Sequence, residues 1–236
     1  MNLDALGEAL LLRLEAKHER REQVLGHSRR VVRHAARAIR AVHRRDWAEA
    51  DEILVAADEI VAQMRAAAEG HPDIESAGYR LDAEKEVAEA YLTRDLVRSV
   101  IDGQDRALRG PEDLGVPDAA WLNGLGEAAG ELRRAALDLM RVGEVALAER
   151  ALERMQEIHV FLSSIDLPHA ITGNVKRTND MVRGVTERTR GDLTTAARQE
   201  ALQAALVRLE ARFGYDGNND SNDNDLHPDP QPRGGD

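Results

Sequence analysis

The stretch LDAEKEVAEAYLTRDLVRSV, residues 81–100, decides the fold that we expect for this chain. Its apolar residues recur at the spacing of an amphipathic helix and leave a polar stripe through Glu86, Glu89 and Thr93. The spacing between Glu86 and Glu89 puts their carboxylates on one helix face. The stretch therefore predicts a long helix over about residues 79–102 with two acids on its polar side.

A second acidic pair lies in the stretch GLGEAAGELRR, residues 124–134, which contains Glu127 and Glu131 and has a helical pattern as well. Four carboxylates from two packed helices would form an oxygen-rich pocket that suits Mg²⁺ or Mn²⁺. Surface helices of an acidic protein also produce such pairs by chance, so spacing alone leaves both explanations open. Gly124 and Gly130 each cost about 1 kcal/mol relative to alanine inside a helix, which indicates close approach by another helix or a ligand.

The remaining sequence predicts further helices and no sheet. Apolar residues keep a helical spacing through four more long segments, and β-branched runs with alternating polarity are missing. Asp46 is a good N-cap for the helix that follows it, and Gly191 with Asp192 is expected to kink or re-cap the last helix. The predicted helices cover about residues 3–45, 47–68, 79–102, 117–142, 144–163 and 172–213, within one helical domain of residues 1–213.

Length and composition set limits on the class of protein. The 236 residues are enough for one large or two small domains, and the absence of cysteine excludes disulfides and thiolate metal sites. Neither a secretion signal nor an apolar run of bilayer width is present, so we expect a soluble, cytoplasmic protein with no membrane partner. The formal net charge is −11, and residues 214–236 hold six aspartates against the single Arg233, which predicts a disordered acidic tail.

The first predicted helix combines an apolar face with a basic face. Its apolar face is expected to contain Leu11, Leu14, Leu25, Val32, Ala35, Ile39 and Val42. Its basic face contains Arg29, Arg30, Arg33, Arg37, Arg40 and Arg44. These arginines would either form ion pairs with acidic neighbours or bind phosphates, and the pattern leaves both explanations open.

The segments around the acidic pairs resemble the translin family, in the family's order and over nearly the whole chain up to Phe213. The matching segments are HPDI (71–74), AGY (77–79), EVAEA (86–90), PD (117–118), GLGEAAGELRR (124–134) and ERTRGDL (187–193). The resemblance implies an all-helical subunit that assembles into a closed shell, commonly an octamer, with its acids facing the interior. Pattern and resemblance together predict an all-α bundle of about six to seven long antiparallel helices.

Within that family the chain resembles the branch of translin-associated factor X and its prokaryotic relatives, whose acidic residues are implied to cut RNA with a divalent metal. Glu86 and Glu89 fall on that branch's Glu-x-x-Glu, and Glu131 falls on the glutamate of its Gly-Glu-Leu. Glu127 falls where the eukaryotic members have aspartate, so it keeps the charge on a side chain that is longer by one methylene. The resemblance thus implies that all four glutamates are catalytic residues and ligands of Mg²⁺ or Mn²⁺.

We therefore expect a Mg²⁺-dependent endoribonuclease that acts on single-stranded RNA inside an oligomeric shell. The side chains expected to grip the RNA backbone are Arg29, Arg33, Arg37 and Arg40. Aromatic residues make up 3% of the chain, so few side chains can stack bases and sequence preference should be weak. Single-stranded RNA should outcompete duplex RNA, because the strand has to enter the shell.

Two other functions are compatible with parts of the pattern. The main alternative is a homo-oligomer that binds single-stranded RNA or DNA without cleaving it, as translin proper is implied to do. A ferritin-like di-iron bundle would need two Glu-x-x-His motifs in its core. The one such motif in the sequence, Glu15-x-x-His18, lies in a polar stretch of the first helix, away from the glutamate pairs.

Overall fold

A computed structural model describes residues 3–213 of the chain, and within that range every regular element is an α-helix. The all-α fold predicted from the sequence is confirmed. The helices are α1 (Leu3–His43), α2 (Trp47–Ala68), α3 (Pro72–Glu75), α4 (Gly78–Asp102), α5 (Pro111–Leu114), α6 (Asp118–Arg141), α7 (Val145–Ser163), α8 (His169–Thr172) and α9 (Val175–Phe213). Between residues 3 and 213, no helix is both long enough and apolar enough to cross a membrane. The predicted acidic tail, residues 214–236, lies outside the described residues.

The chain divides into two compact units, residues 1–194 and residues 195–236. The first unit contains both acidic pairs and the side chains that surround them. In the second unit the structure describes residues 195–213, which are helical and belong to α9.

Helix α4 is the central helix of the first unit, and it packs against α1, α2, α6 and α7. Its residues contribute to two hydrophobic clusters. Leu92 and Leu96 lie in the cluster that includes residues of α6 and α7, whereas Val87 and Tyr91 lie in the cluster that includes residues of α1 and α2. Because apolar contacts surround α4 on several sides, part of its polar stripe is held between helices, and Glu89 is buried.

Some helix ends lie where the sequence predicts them, and others differ from the prediction. Asp46 caps α2 as predicted, since its Oδ1 accepts a hydrogen bond from the backbone N of Glu49 at 3.1 Å. The last predicted helix starts later than expected, because α8 and a turn at Gly173, with φ of 64°, precede α9. The chain is not re-capped at Gly191, since α9 continues through this residue as one helix.

The apolar face predicted for the first helix was partly wrong. Ala35 and Ile39 are buried as expected, but Leu11 and Leu14 are 57% and 53% exposed. Burial along α1 begins at Val24, so contacts of the first unit cover the C-terminal half of the helix. The first turns of α1 present leucines on the surface.

Helices α4 and α6 come into backbone contact at Gly124. A Cβ atom on Gly124 would lie 2.9 Å from the backbone N of Glu89 and 2.9 Å from the backbone O of Lys85. Atoms at this distance repel, so a glycine is needed for α6 to pack so near to α4. The close approach predicted from the glycines of this helix is confirmed at Gly124, whereas a Cβ on Gly130 would have no neighbour within 4 Å.

Replacing Gly124 by alanine should push α6 away from α4 and destabilise the protein by roughly 1–3 kcal/mol, the usual range for overpacking a core. Gly130→Ala is the matched control, because it adds the same methyl group in open space. It should raise the free energy of unfolding by about 0.5–1 kcal/mol through helix propensity. Urea unfolding followed by circular dichroism measures both changes, and equal effects of the two substitutions would contradict the expectation.

Candidate metal centre

Three carboxylates from α4 and α6 converge beside the Gly124 contact, and we call them the acidic cluster. Glu86 and Glu89 come from α4, and Glu127 comes from α6, one turn after the glycine. Their carboxylate oxygens can be chosen so that all lie within 4.8 Å of one another. Three carboxylates form the kind of oxygen ligand set that Mg²⁺ and Mn²⁺ prefer, so the cluster fits a hard divalent cation.

Glu89 is the most deeply buried member of the acidic cluster, with 9% of its surface exposed. Burial, followed by the negative charges of Glu127 and Glu86, raises the pKa of Glu89 to about 9. Without a cation, Glu89 therefore keeps a proton at neutral pH. A divalent cation would instead supply the positive charge that three neighbouring carboxylates require.

Lys85 places an ammonium group directly against the acidic cluster. Its Nζ donates to both carboxylate oxygens of Glu127 at 2.7 Å and lies 3.2 Å from Oε1 of Glu86. Burial disfavours the charged form, but the hydrogen bond and charge of Glu127, helped by Glu86, outweigh burial and raise the pKa of Lys85. Lys85 is therefore a counter-ion for the two less buried carboxylates.

Glu131, the fourth predicted ligand, is hydrogen-bonded to a histidine and does not join the other three. Nε2 of His43, at the end of α1, lies 2.5 Å from Oε2 of Glu131, and the His43 side chain is almost fully buried. The hydrogen bond with His43 lowers the pKa of Glu131 and so favours its ionised form. The negative charge of Glu131 still acts on the acidic cluster, because it contributes to the raised pKa of Glu89.

An open groove of about 750 Å³ adjoins the acidic cluster, and its lining includes Glu127 of the cluster and the neighbouring Lys85. Asn123 on α6 links this helix to α8 and α9 at one side of the groove. Its Nδ2 donates to the carbonyl oxygen of Thr172 at 3.0 Å, and its Oδ1 accepts from Oγ1 of Thr178 at 2.6 Å. The groove also presents the polar side chains of His169, Asn174 and Arg177.

The arginines expected to bind nucleic acid lie on the exposed side of α1. They are Arg29, Arg33, Arg37 and Arg40. Among residues 3–213, none of these four guanidinium groups forms an ion pair with a carboxylate, whereas Arg44 nearby pairs with Glu49. Ion pairing with acidic neighbours in the described chain therefore does not account for the four candidates, and their charge is free for an external anion.

Three residues of the site were missed in the sequence, namely Lys85, His43 and Asn123. His43 and Glu131 are 88 positions apart, so no local pattern could have joined them. Asn123 contacts Thr172 across 49 positions. Lys85 had a usable signal, since it stands directly before the Glu86 and Glu89 pair on the same helix.

Comparisons with known proteins agree with this architecture. No model in a scan of protein families matches the chain. An uncharacterized protein of Methanocaldococcus jannaschii is 28% identical over 198 residues, which cover 84% of this chain and 85% of that protein. The solved structure of AfC3PO with duplex RNA shares 30% identity and a TM-score of 0.71 over 84% of this chain and 98% of that chain. A second AfC3PO structure is 31% identical at the same TM-score, and apo-NeC3PO shares the fold at 21% identity and a TM-score of 0.67.

In EDTA, the stability of the protein should fall as pH rises through the window between the ordinary pKa of Glu89, 4.5, and its folded value of about 9. In this window the unfolded chain has released the proton and the folded chain retains it, so rising pH favours unfolding. Glu89→Gln should reduce the slope. Thermal unfolding across the window measures the slopes, and an unchanged slope in Glu89→Gln would contradict the assignment.

Proposed function

Since the chain belongs to the C3PO family of translin/Trax-type proteins, we propose that it binds RNA and cleaves it with a divalent cation held by the acidic cluster. The translin-type family predicted from the sequence is confirmed, and membership of the Trax-like prokaryotic branch is part of this proposal. The proposed protein is a Mg²⁺- or Mn²⁺-dependent endoribonuclease that works as an oligomer.

The convergence of Glu86, Glu89 and Glu127 from two helices carries the proposal. Acidic pairs that arise by chance on surface helices would point into solvent, whereas Glu89 is buried between helices. Carboxylates this close repel one another unless a positive charge or a proton lies among them. The proton on Glu89 and the ammonium of Lys85 meet that requirement when no metal is bound, and a divalent cation would meet it in their place.

The four glutamates would have two different roles in the reaction. Glu86, Glu89 and Glu127 would hold the cation through their carboxylate oxygens. When bound, Mg²⁺ or Mn²⁺ lowers the pKa of a coordinated water and neutralises negative charge on the scissile phosphate. Glu131, kept ionised by its hydrogen bond with His43, adds negative charge beside the cluster. Partial burial limits screening by water and strengthens these interactions.

The groove beside the acidic cluster is the proposed path of the RNA backbone. It meets the cluster at Glu127, and Lys85 and Arg177 give it two positive charges. AfC3PO has been solved with duplex RNA, so both single-stranded and duplex RNA belong in the assays. We expect single-stranded RNA to be the better substrate, because a flexible strand enters a closed assembly more readily than a duplex.

The exposed leucines at the start of α1 support assembly into an oligomer. Leu3, Leu6, Leu10, Leu11, Leu12 and Leu14 are between 47% and 69% exposed. Apolar side chains concentrated in one exposed region are typical of protein interfaces. We propose that copies of the chain cover this region in a closed assembly, with an octamer as the expected size.

Glu89→Gln and Glu127→Gln should each reduce Mg²⁺-dependent cleavage of a labelled single-stranded RNA by roughly a hundredfold or more. The reason is that even residues supporting a metal ligand contribute up to about a hundredfold to affinity or activity. Cleavage rates on a denaturing gel measure the loss, and EDTA should abolish cleavage by the wild-type protein. Glu52→Gln, which removes an exposed carboxylate of α2, is the control and should cut at the wild-type rate.

Two results would remove the catalytic proposal. If both cluster variants cut RNA at the wild-type rate, the acidic cluster does not hold the catalytic cation. If the wild-type protein retards RNA in a gel shift but cuts none in Mg²⁺ or Mn²⁺, the protein is a nucleic-acid-binding oligomer without nuclease activity.

Replacing Arg33 and Arg37 together by glutamine should weaken RNA binding to a similar extent for different sequences. It should also reduce the slope of log affinity against log salt by about 0.7 for each lost phosphate contact. Arg20→Gln is the control, because this exposed arginine is turned about 100–140° away from Arg33 and Arg37 and lies about 20 Å from Arg33 along α1. Fluorescence anisotropy in EDTA measures binding without cleavage, and an unchanged salt slope in the double variant would exclude the α1 arginines as backbone contacts.

A further inference from the structure

The ammonium of Lys85 is hydrogen-bonded to the carboxylate of Glu127, which is a proposed metal ligand. Its Nζ lies 2.7 Å from both Oε1 and Oε2 of Glu127, so both oxygens of that carboxylate are engaged. The same ammonium lies 3.2 Å from Oε1 of Glu86. Two of the three carboxylates of the acidic cluster are therefore held by a cation that belongs to the chain itself.

The ammonium of Lys85 and a divalent cation cannot both use Glu127 in this way. Like charges a few ångströms apart repel strongly in a partly buried site, because water screens them poorly. We propose that Lys85 is the built-in counter-ion of the metal-free acidic cluster and that a divalent cation binds by displacing it from Glu127. The inference rests on the proposed function, since it presumes that the cluster holds a metal.

The surroundings of Lys85 allow such a displacement. Its side chain is about one-fifth exposed and lines the groove of about 750 Å³ beside the cluster. A lysine side chain has a flexible four-carbon stem, so the ammonium can turn into that groove while the backbone of α4 stays packed. Arg177 lines the same groove. In its displaced position the ammonium would add to the positive charge that faces an RNA phosphate.

The proposal predicts that Lys85 lowers the affinity of the cluster for metal. Lys85→Met keeps an unbranched side chain that is one atom shorter and removes its charge, so it should bind Mn²⁺ roughly tenfold more tightly than the wild-type protein. Lys85→Arg retains the charge and should not show this gain. Lys176→Met is the matched control, because Lys176 is exposed and pairs with Asp166 on the surface.

Mn²⁺ titration of each full-length variant in the absence of RNA, followed by electron paramagnetic resonance of free Mn²⁺, gives the affinities. Thermal unfolding in EDTA gives a second readout. Metal-free Lys85→Met should unfold at a lower temperature than the wild type, because its cluster has lost a counter-ion, and Mn²⁺ should restore more stability to it than to the wild type.

The outcomes separate this inference from the proposed function. If the wild-type protein binds Mn²⁺, Glu127→Gln binds it weakly and Lys85→Met binds it no more tightly than the wild type, Lys85 does not compete with the metal. If neither the wild-type protein nor any Lys85 variant binds Mn²⁺, the metal centre itself is wrong and both proposals fall. A tenfold gain in Lys85→Met, absent from Lys85→Arg and Lys176→Met, is the expected result.

Discussion

The backbone contact between α4 and α6 at Gly124 sets the distances on which the candidate site depends. The atoms that a side chain at this position would strike belong to Lys85 and Glu89, so the contact lies in the middle of the acidic residues. The 2.7 Å bonds from Lys85 to Glu127 cross the same helix interface. Because these side chains have fixed lengths, widening the interface would separate Glu127 from its partners on α4. A missing Cβ on one helix thus determines how closely the carboxylates of two helices approach.

Because the carboxylates of α4 and α6 lie so close together, their negative charges have to be offset. Three carboxylates would carry three negative charges, but the proton retained by Glu89 and the ammonium of Lys85 together offset two of them. The metal-free protein therefore tolerates the cluster within a packed helix interface. In the proposed function a divalent cation would replace both of these groups, so binding of the metal would be coupled to the stability of the fold.

The fold was largely predictable from the sequence, whereas the site was predictable in part. Helical periodicity and the Asp46 cap are local signals, and they located the long helices and the start of α2. Spacing placed Glu86 and Glu89 on one face, but it could not show that Glu131 would turn to His43, since that contact depends on how α1 packs against α6. The same limit applies to Leu11 on α1, because hydrophobicity does not reveal which leucines the chain itself covers.

Helix α1 connects the two charged regions of the protein. His43 at its end contacts Glu131 beside the acidic cluster, and Arg40 lies one turn earlier on the same helix. From Arg29 to His43 the helix rises by about 21 Å, at 1.5 Å for each residue. The four arginines, which form no ion pair with a carboxylate within residues 3–213, therefore extend along one helix from the neighbourhood of the cluster. An RNA backbone following them would approach the acidic cluster from a direction that α1 defines, so the packing of His43 against Glu131 would align binding with cleavage.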